Sequence, residues 1–230
     1  MSKRLALLID QDRCIGCWTC AVVCKMENNV GLGNHWNRIL SNGTGEYGET
    51  PKIGLDGKPE LVFQPTTCMH CENAPCVKAC PTGATYKRKD GITAQNYSIC
   101  IGCRACMAAC PYNARVFNWG TAQQVPSFED DHVGDARVPS RPKGVVEKCT
   151  FCQEKTDAGE KPACVTSCPA HARVFGDIND PSSEISGLMS ESSHHSLLED
   201  LGTKPSVFYT APRRKLKVSY NQDGGGYLGE

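Results

Sequence analysis

The chain has 230 residues, and 25 lysines and arginines balance 25 aspartates and glutamates, so its formal charge is zero. That balance argues against a nucleic-acid surface and against an acidic tail, and no apolar run reaches the roughly eighteen residues needed to cross a bilayer. Only 40% of residues are hydrophobic and 7% aromatic, while sixteen are cysteine, a composition in which metal-bound sulfur replaces part of an apolar core.

In chain order, Met1–Asp10 holds a short apolar run that meets a charge at Asp10 and offers no cleavage site, so no secretion signal is expected there. The run instead reads as a strand feeding the first cysteine tetrad, Cys14, Cys17, Cys20 and Cys24. Residues 28–65 form a glycine- and proline-rich insertion with one hairpin expected around Leu55–Phe63. The second tetrad is Cys68, Cys71, Cys76 and Cys80, and the third is Cys100, Cys103, Cys106 and Cys110. A second irregular insertion, 119–144, carries the acidic run Glu129-Asp130-Asp131. The fourth tetrad, Cys149, Cys152, Cys164 and Cys168, leaves no cysteine over. Residues 181–230 contain no cysteine and end near Gly224-Gly225-Gly226, with a weak helical pattern over Ser183–Leu201. Such a tail is expected to wrap a partner or stay mobile.

The tetrads are copies of one unit. PTGATYKR, PYNARVFNWG and PAHARVFGDI follow the last cysteine of the second, third and fourth tetrads, which predicts a strand, a cysteine loop, one helical turn and a returning strand in each. Pro81, Pro111 and Pro169 stop the turn, because proline lacks an N–H and clashes with a continuing helix. Returning strands are expected at Arg115–Asn118 and Arg173–Gly176. Lys25 stands where the others have proline, so the first unit should run on helically through Met26 and Glu27.

The third tetrad reads C-x2-C-x2-C-x3-C-P, the ferredoxin pattern for a [4Fe–4S] cluster held by thiolates. In two-cluster ferredoxins the fourth cysteine of each motif ligates the other cluster. Tetrads two and three lie only 19 residues apart and pair; tetrads one and four then pair around them. The expected ligand sets are Cys14, Cys17, Cys20 and Cys168 for cluster 1; Cys68, Cys71, Cys76 and Cys110 for cluster 2. Cluster 3 takes Cys100, Cys103, Cys106 and Cys80, and cluster 4 takes Cys149, Cys152, Cys164 and Cys24. The fold expected is α+β, with two nested ferredoxin-like modules. The outer one spans 1–27 plus 145–180 and the inner one 66–118. Four oxidised clusters with sixteen thiolates add a charge of about −8, which Arg13, Lys25, Arg104, Lys148 and Arg173 could partly offset from nearby.

Zinc has no use for the third cysteine three residues after the second in tetrads one and three, nor for the C-x3-C-P ending. Tetrad four, with that gap lengthened to eleven residues, would pass for a zinc site alone but stands beside three cluster motifs. Disulfides suit a short secreted scaffold. No tetrad lacks a cysteine, as a two-histidine Rieske site would require, so His70 and His171 are expected beside clusters or at the surface and His194-His195 in solvent. Trp18, Trp36 and Trp119 are expected to pack rather than to relay electrons. With every iron ligated and no nucleotide-binding loop, no catalytic residue is expected. The chain is expected to relay single electrons.

The ordered set of four tetrads resembles the iron–sulfur subunits of molybdopterin oxidoreductases, the family of dimethyl sulfoxide, polysulfide, thiosulfate, tetrathionate and arsenate reductases. Glu27–Asn29 (ENN), Asn73–Ala84 (NAPCVKACPTGA), Ala109–Arg115 (ACPYNAR), Glu147–Cys152 (EKCTFC) and Gly176–Ser186 (GDINDPSSEIS) carry the resemblance across about residues 5–190. It implies four [4Fe–4S] clusters and a large molybdenum bis(pterin guanine dinucleotide) catalytic partner. It also implies a quinol-interacting membrane anchor subunit or a soluble carrier at the other end. Some relatives put tryptophan at the second cysteine of the third motif and hold a three-iron cluster; Cys103 here implies a fourth cubane. Co-export with the catalytic subunit would place the chain on the outer face of a bacterial membrane, with the cytoplasm as the alternative. A stand-alone polyferredoxin shuttle is the competing reading, disfavoured by the 28–65 insertion and the long tail.

Overall fold

Leu5–Ile9 is a strand buried along its whole length, and the fold is arranged around its two faces. Side chains alternate across a strand. Leu5, Leu7 and Ile9 enter the main core with Cys24, Cys68, Cys149 and Phe151, while Ala6 and Leu8 meet Ile185 on the other face. In this computed structural model the residues described are 3–44, 50–54, 57–120, 134–139 and 142–210, with the backbone of strands Lys217–Tyr220 and Gly226–Gly229. The acidic run 129–131, Leu55 and Gly224-Gly225 lie outside them.

Leu5–Ile9 pairs antiparallel with Arg173–Asp177, from Leu5 opposite Asp177 to Ile9 opposite Arg173. Its other edge takes Val207–Thr210 in parallel, and His194–His195 closes the sheet against that strand. Part of the tail is therefore built into this sheet, where a segment that wraps a partner or stays mobile was expected. A strand apolar on both faces needs cover on both, and helix Glu184–Glu191 supplies one side. That helix is shorter than the Ser183–Leu201 pattern. The chain turns extended at Ser192, where the serine- and histidine-rich stretch favours a strand pairing over further helix.

The cysteine units follow the expected plan. Single helical turns at Pro75–Lys78, Ala105–Ala108 and Ala163–Thr166 each end two residues before a proline-preceding cysteine. The first unit, without the proline, runs for nine residues, Thr19–Glu27. Returning strands form at Thr85–Lys87, Val116–Phe117 and Arg173–Asp177, paired with Thr93–Gln95, Val146–Glu147 and Leu5–Ile9 respectively. In the insertion, Arg38–Ser41 pairs with Phe63–Thr66. The small hairpin lies slightly earlier than expected, Lys52–Ile53 against Pro59–Glu60, with Gly57 at φ +74° making the turn.

Candidate metal centres

Each C-x-x-C loop places a left-handed residue immediately before its second cysteine: Gly16 (φ +68°), His70 (+45°), Gly102 (+67°) and Phe151 (+56°). That twist turns the two sulfurs of the loop toward one space. Two loops use glycine for steric reasons as well as for φ. A Cβ on Gly16 would strike the Phe63 ring, and one on Gly102 would strike the Gly144 carbonyl oxygen. The other two loops hold side chains at left-handed φ, an arrangement that costs about 1–2 kcal/mol each.

Cysteines from different motifs meet around shared cavities. Cys24 joins Cys149, Cys152 and Cys164 around one space. Cys168 joins Cys14, Cys17 and Cys20 around a second, and Cys80 joins Cys100, Cys103 and Cys106 around a third. Cys71 is close enough to Cys68, Cys110 and Cys76 to feel the charge of each. Among the described residues, no three His, Cys, Asp or Glu side chains converge as they would on a single ion. Thiols ringing a volume suit a polynuclear cluster better than a zinc ion, whose four ligands sit at about 2.3 Å from one point.

Comparison with known proteins likewise points to iron–sulfur clusters. Two family models, both described as a 4Fe–4S dicluster domain, match residues 59–127 with 135–178, and 13–84. A protein assigned as the iron–sulfur subunit of a dimethyl sulfoxide reductase in Halobacterium salinarum is 53% identical over 208 residues, covering 88% of this chain and 77% of the relative. The arsenate respiratory reductase iron–sulfur subunit of Shewanella sp. ANA-3 is 39% identical, over 90% of this chain and 95% of its own. A polysulfide reductase component from Wolinella succinogenes is 35% identical, over 93% and 97%. The chain belongs to this family of reductase iron–sulfur subunits.

As such a subunit it must hold sulfur anions in a poorly solvated interior. Burial pushes the Cys71 thiol up to about 12, with Cys68 adding to the rise. Burial also lifts Cys152 to about 12, helped by Cys164 and Cys149, and Cys149 to about 11, helped by Cys68. Cys20 reaches about 11, burial again outweighing the nearby Arg173. Bare thiolates are unfavourable here, and a positive iron core is what permits them. Cys80 differs: burial opposes ionisation, but backbone hydrogen bonding at Thr85 and the Thr82 hydroxyl outweigh it, bringing the thiol down to about 7.

Of the five cations expected near the clusters, Lys148 and Arg173 are buried, Lys25 is half-buried, and Arg13 and Arg104 are exposed. Lys25 donates to the Gly31 and Asn34 carbonyls at 2.6 and 3.0 Å. Arg104 lies over Phe117 and Trp119, 5.2 and 4.9 Å from the ring centres. Trp36 packs in the core as expected, whereas Trp18 and Trp119 are exposed. His171 and His194 are at the surface, His195 is half-buried and His70 is fully enclosed. His70 Nδ1 accepts the Thr93 N–H at 3.1 Å, and burial pushes its pKa well down, so the ring is neutral.

Three neighbours of the sulfurs were not singled out by the sequence. Asn28 Nδ2 lies 3.8 Å from Cys24 Sγ and 3.7 Å from Cys152 Sγ. Asn37 donates to the Cys20 carbonyl at 3.3 Å and lines the Cys24 cavity. Arg115 is 2% exposed. Nε and Nη2 of Arg115, and Nη1 of Arg173, have no hydrogen-bond partner of normal geometry, and both guanidinium groups neighbour cysteine sulfurs. Buried cationic donors left over beside thiols fit anionic clusters. The repeat held a signal for Arg115, since Ala114-Arg115-Val116-Phe117 and Ala172-Arg173-Val174-Phe175 occupy the same place in two units.

Proposed function

We propose that the chain holds four [4Fe–4S] clusters and relays single electrons between a large molybdenum bis(pterin guanine dinucleotide) catalytic subunit and a quinone-linked membrane subunit or soluble carrier. The observation that carries this is the set of cavities in which three cysteines of one motif meet the last cysteine of another. The ligand sets would be Cys14, Cys17, Cys20 and Cys168; Cys68, Cys71, Cys76 and Cys110; Cys100, Cys103, Cys106 and Cys80; and Cys149, Cys152, Cys164 and Cys24. A fully thiolate-ligated cluster supplies one-electron transfer and no open iron, so bond chemistry belongs to the partner.

Nesting of two modules is supported by the pairing of Leu5–Ile9 with Arg173–Asp177, which joins the first and fourth units. The clusters line up 1–4–2–3. Cys20 neighbours Cys164, Cys149 neighbours Cys68, and Cys106 neighbours Cys76. At the two ends of that line Cys17 and Cys103 are exposed. Exposed apolar side chains lie near each in the chain: Ile15, Trp18 and Val22 about Cys17, and Ile99 and Ile101 before Cys103, with Trp119 against Arg104. These ends suit partner contact.

No helix of the described residues is long and apolar enough to cross a membrane. We place the chain at the outer face of the membrane by co-export with its catalytic subunit. Anaerobic isolation tests the whole reading. About sixteen irons and sixteen acid-labile sulfides per chain, together with a large molybdenum-containing subunit, are expected. A lone zinc protein without sulfide would refute it.

A further inference from the structure

Among the described residues three lysine or arginine side chains are buried: Arg115, Lys148 and Arg173. Their positions are not random along the cluster line. Arg173 lines the cavity of Cys14, Cys17, Cys20 and Cys168, and its Nη2 donates at 3.1 Å to Asn37, which lines the cavity of Cys24, Cys149, Cys152 and Cys164. Its sulfur neighbours, Cys164 and Cys20, come one from each set. Lys148 donates to the Cys149 carbonyl at 2.8 Å and to the Thr93 carbonyl, with Cys68 and Cys76 of one set and Cys149 of another as its nearby sulfurs. Arg115 Nη1 donates at 3.2 Å to both Thr85 and Gln95, and Gln95 lines the cavity of Cys80, Cys100, Cys103 and Cys106. Its sulfur neighbours are Cys76 and Cys68 from one set and Cys106 from another.

We propose that Arg173, Lys148 and Arg115 are shared counter-charges, one at each junction of the 1–4–2–3 line, and that each raises the reduction potentials of both clusters flanking it. The inference rests on the cluster assignment above and adds the residues that tune the relay. In each step one electron leaves a reduced cluster and enters its oxidised neighbour; no bond changes and no proton moves. The added negative charge starts on one side of the cation and finishes on the other. Attraction to the cation is therefore kept through the hop, whereas a cation beside one cluster only would hold the electron there. In a poorly solvated interior such attraction is strong. Among the described residues the one other buried charged side chain, Glu147, interacts with Lys25, which is only half-buried.

The test is a potentiometric titration followed by electron paramagnetic resonance, on protein isolated anaerobically with its native partner subunits. Arg173→Met should lower the potentials of clusters 1 and 4, Lys148→Met those of 4 and 2, and Arg115→Met those of 2 and 3, the other two staying in place each time. Arg173→Lys and Arg115→Lys, which keep the charge, should restore most of each shift, while Arg173→Gln and Arg115→Gln should not. Shifts confined to one cluster, spread equally over all four, or unchanged by restoring the charge would overturn the proposal. So would loss of clusters in the Met and Gln forms alike, since that would make the cations structural. Fewer than four cubane signals in the unsubstituted protein would instead overturn the cluster assignment itself.

Discussion

His70 and Phe151 stack ring on ring, 3.7 Å between centres and 21° from parallel. One belongs to the Cys68-Cys71 loop and the other to the Cys149-Cys152 loop, and both occupy the position that Gly16 and Gly102 fill elsewhere. Two side chains accept left-handed backbone so that two cysteine loops can pack face to face. Phe151 also meets Phe175 edge-on at 5.2 Å, tying the stack to the central sheet. Phe151→Gly would relieve about 1–2 kcal/mol of backbone strain but empty a ring-sized site worth about 3–5 kcal/mol. The expected outcome is a net loss of roughly 1–4 kcal/mol, read as a lower thermal midpoint of cluster release. A midpoint equal to or above wild type would mean the stack contributes nothing.

The proposed exchange of last cysteines between motifs makes a crosswise prediction. Cys24→Ser should disturb the cluster of Cys149, Cys152 and Cys164, and Cys168→Ser the cluster of Cys14, Cys17 and Cys20. Spectra recorded after selective reduction would show which signal each variant alters. Damage confined to the substituted motif's own cluster would contradict the shared cavities.

The tetrads, their prolines and the returning strands were legible because iron–sulfur ligation imposes fixed spacing, and proline imposes a fixed stop. What the sequence did not reveal lies where geometry is made by distant residues. Val207–Thr210 joins Leu5–Ile9 across nearly the whole chain, and no local pattern marks which strand will cover an edge. His70 reads as an ordinary polar residue until Phe151 is seen against it. Position beside the cysteines singles out Lys148 and Arg173, yet only burial separates them from Arg13 and Arg104, which are solvated. Arg115 was hidden although the repeat contained it, since matching Ala-Arg-Val-Phe stretches suggest strands before they suggest counter-charges.

The two loop glycines should differ in their tolerance of a methyl group. Both have positive φ, so alanine costs about 1–2 kcal/mol of strain at either. At Gly16 the obstacle is the Phe63 side chain, which can turn aside, whereas at Gly102 it is the Gly144 backbone carbonyl, which cannot. Gly102→Ala should therefore lose iron from the Cys100, Cys103 and Cys106 site, while Gly16→Ala retains most of its own. Iron and sulfide content of the two variants, prepared side by side, decides the point. Equal losses would show that strain alone governs both loops.

Arg88 on the Thr85–Lys87 side of the inner hairpin clamps Asp157, at the end of helix Gln153–Asp157, with two guanidinium nitrogens. The hydrogen bond from Arg88 holds the Asp157 carboxyl below its usual range. A depressed carboxylate stabilises the fold above its unfolded value near 4 and loses that contribution as pH falls through the lower folded value. The Asp157 side chain is 53% exposed, so solvent screening limits the contribution to at most about 1 kcal/mol. Asp157→Asn should lower stability by that modest amount, with the gap from wild type constant between about pH 5 and 8. Raising salt should narrow the gap. Thermal midpoints of cluster release at three pH values and two ionic strengths measure both effects. A gap that grew steadily across this neutral range would assign the contribution to some other titrating group.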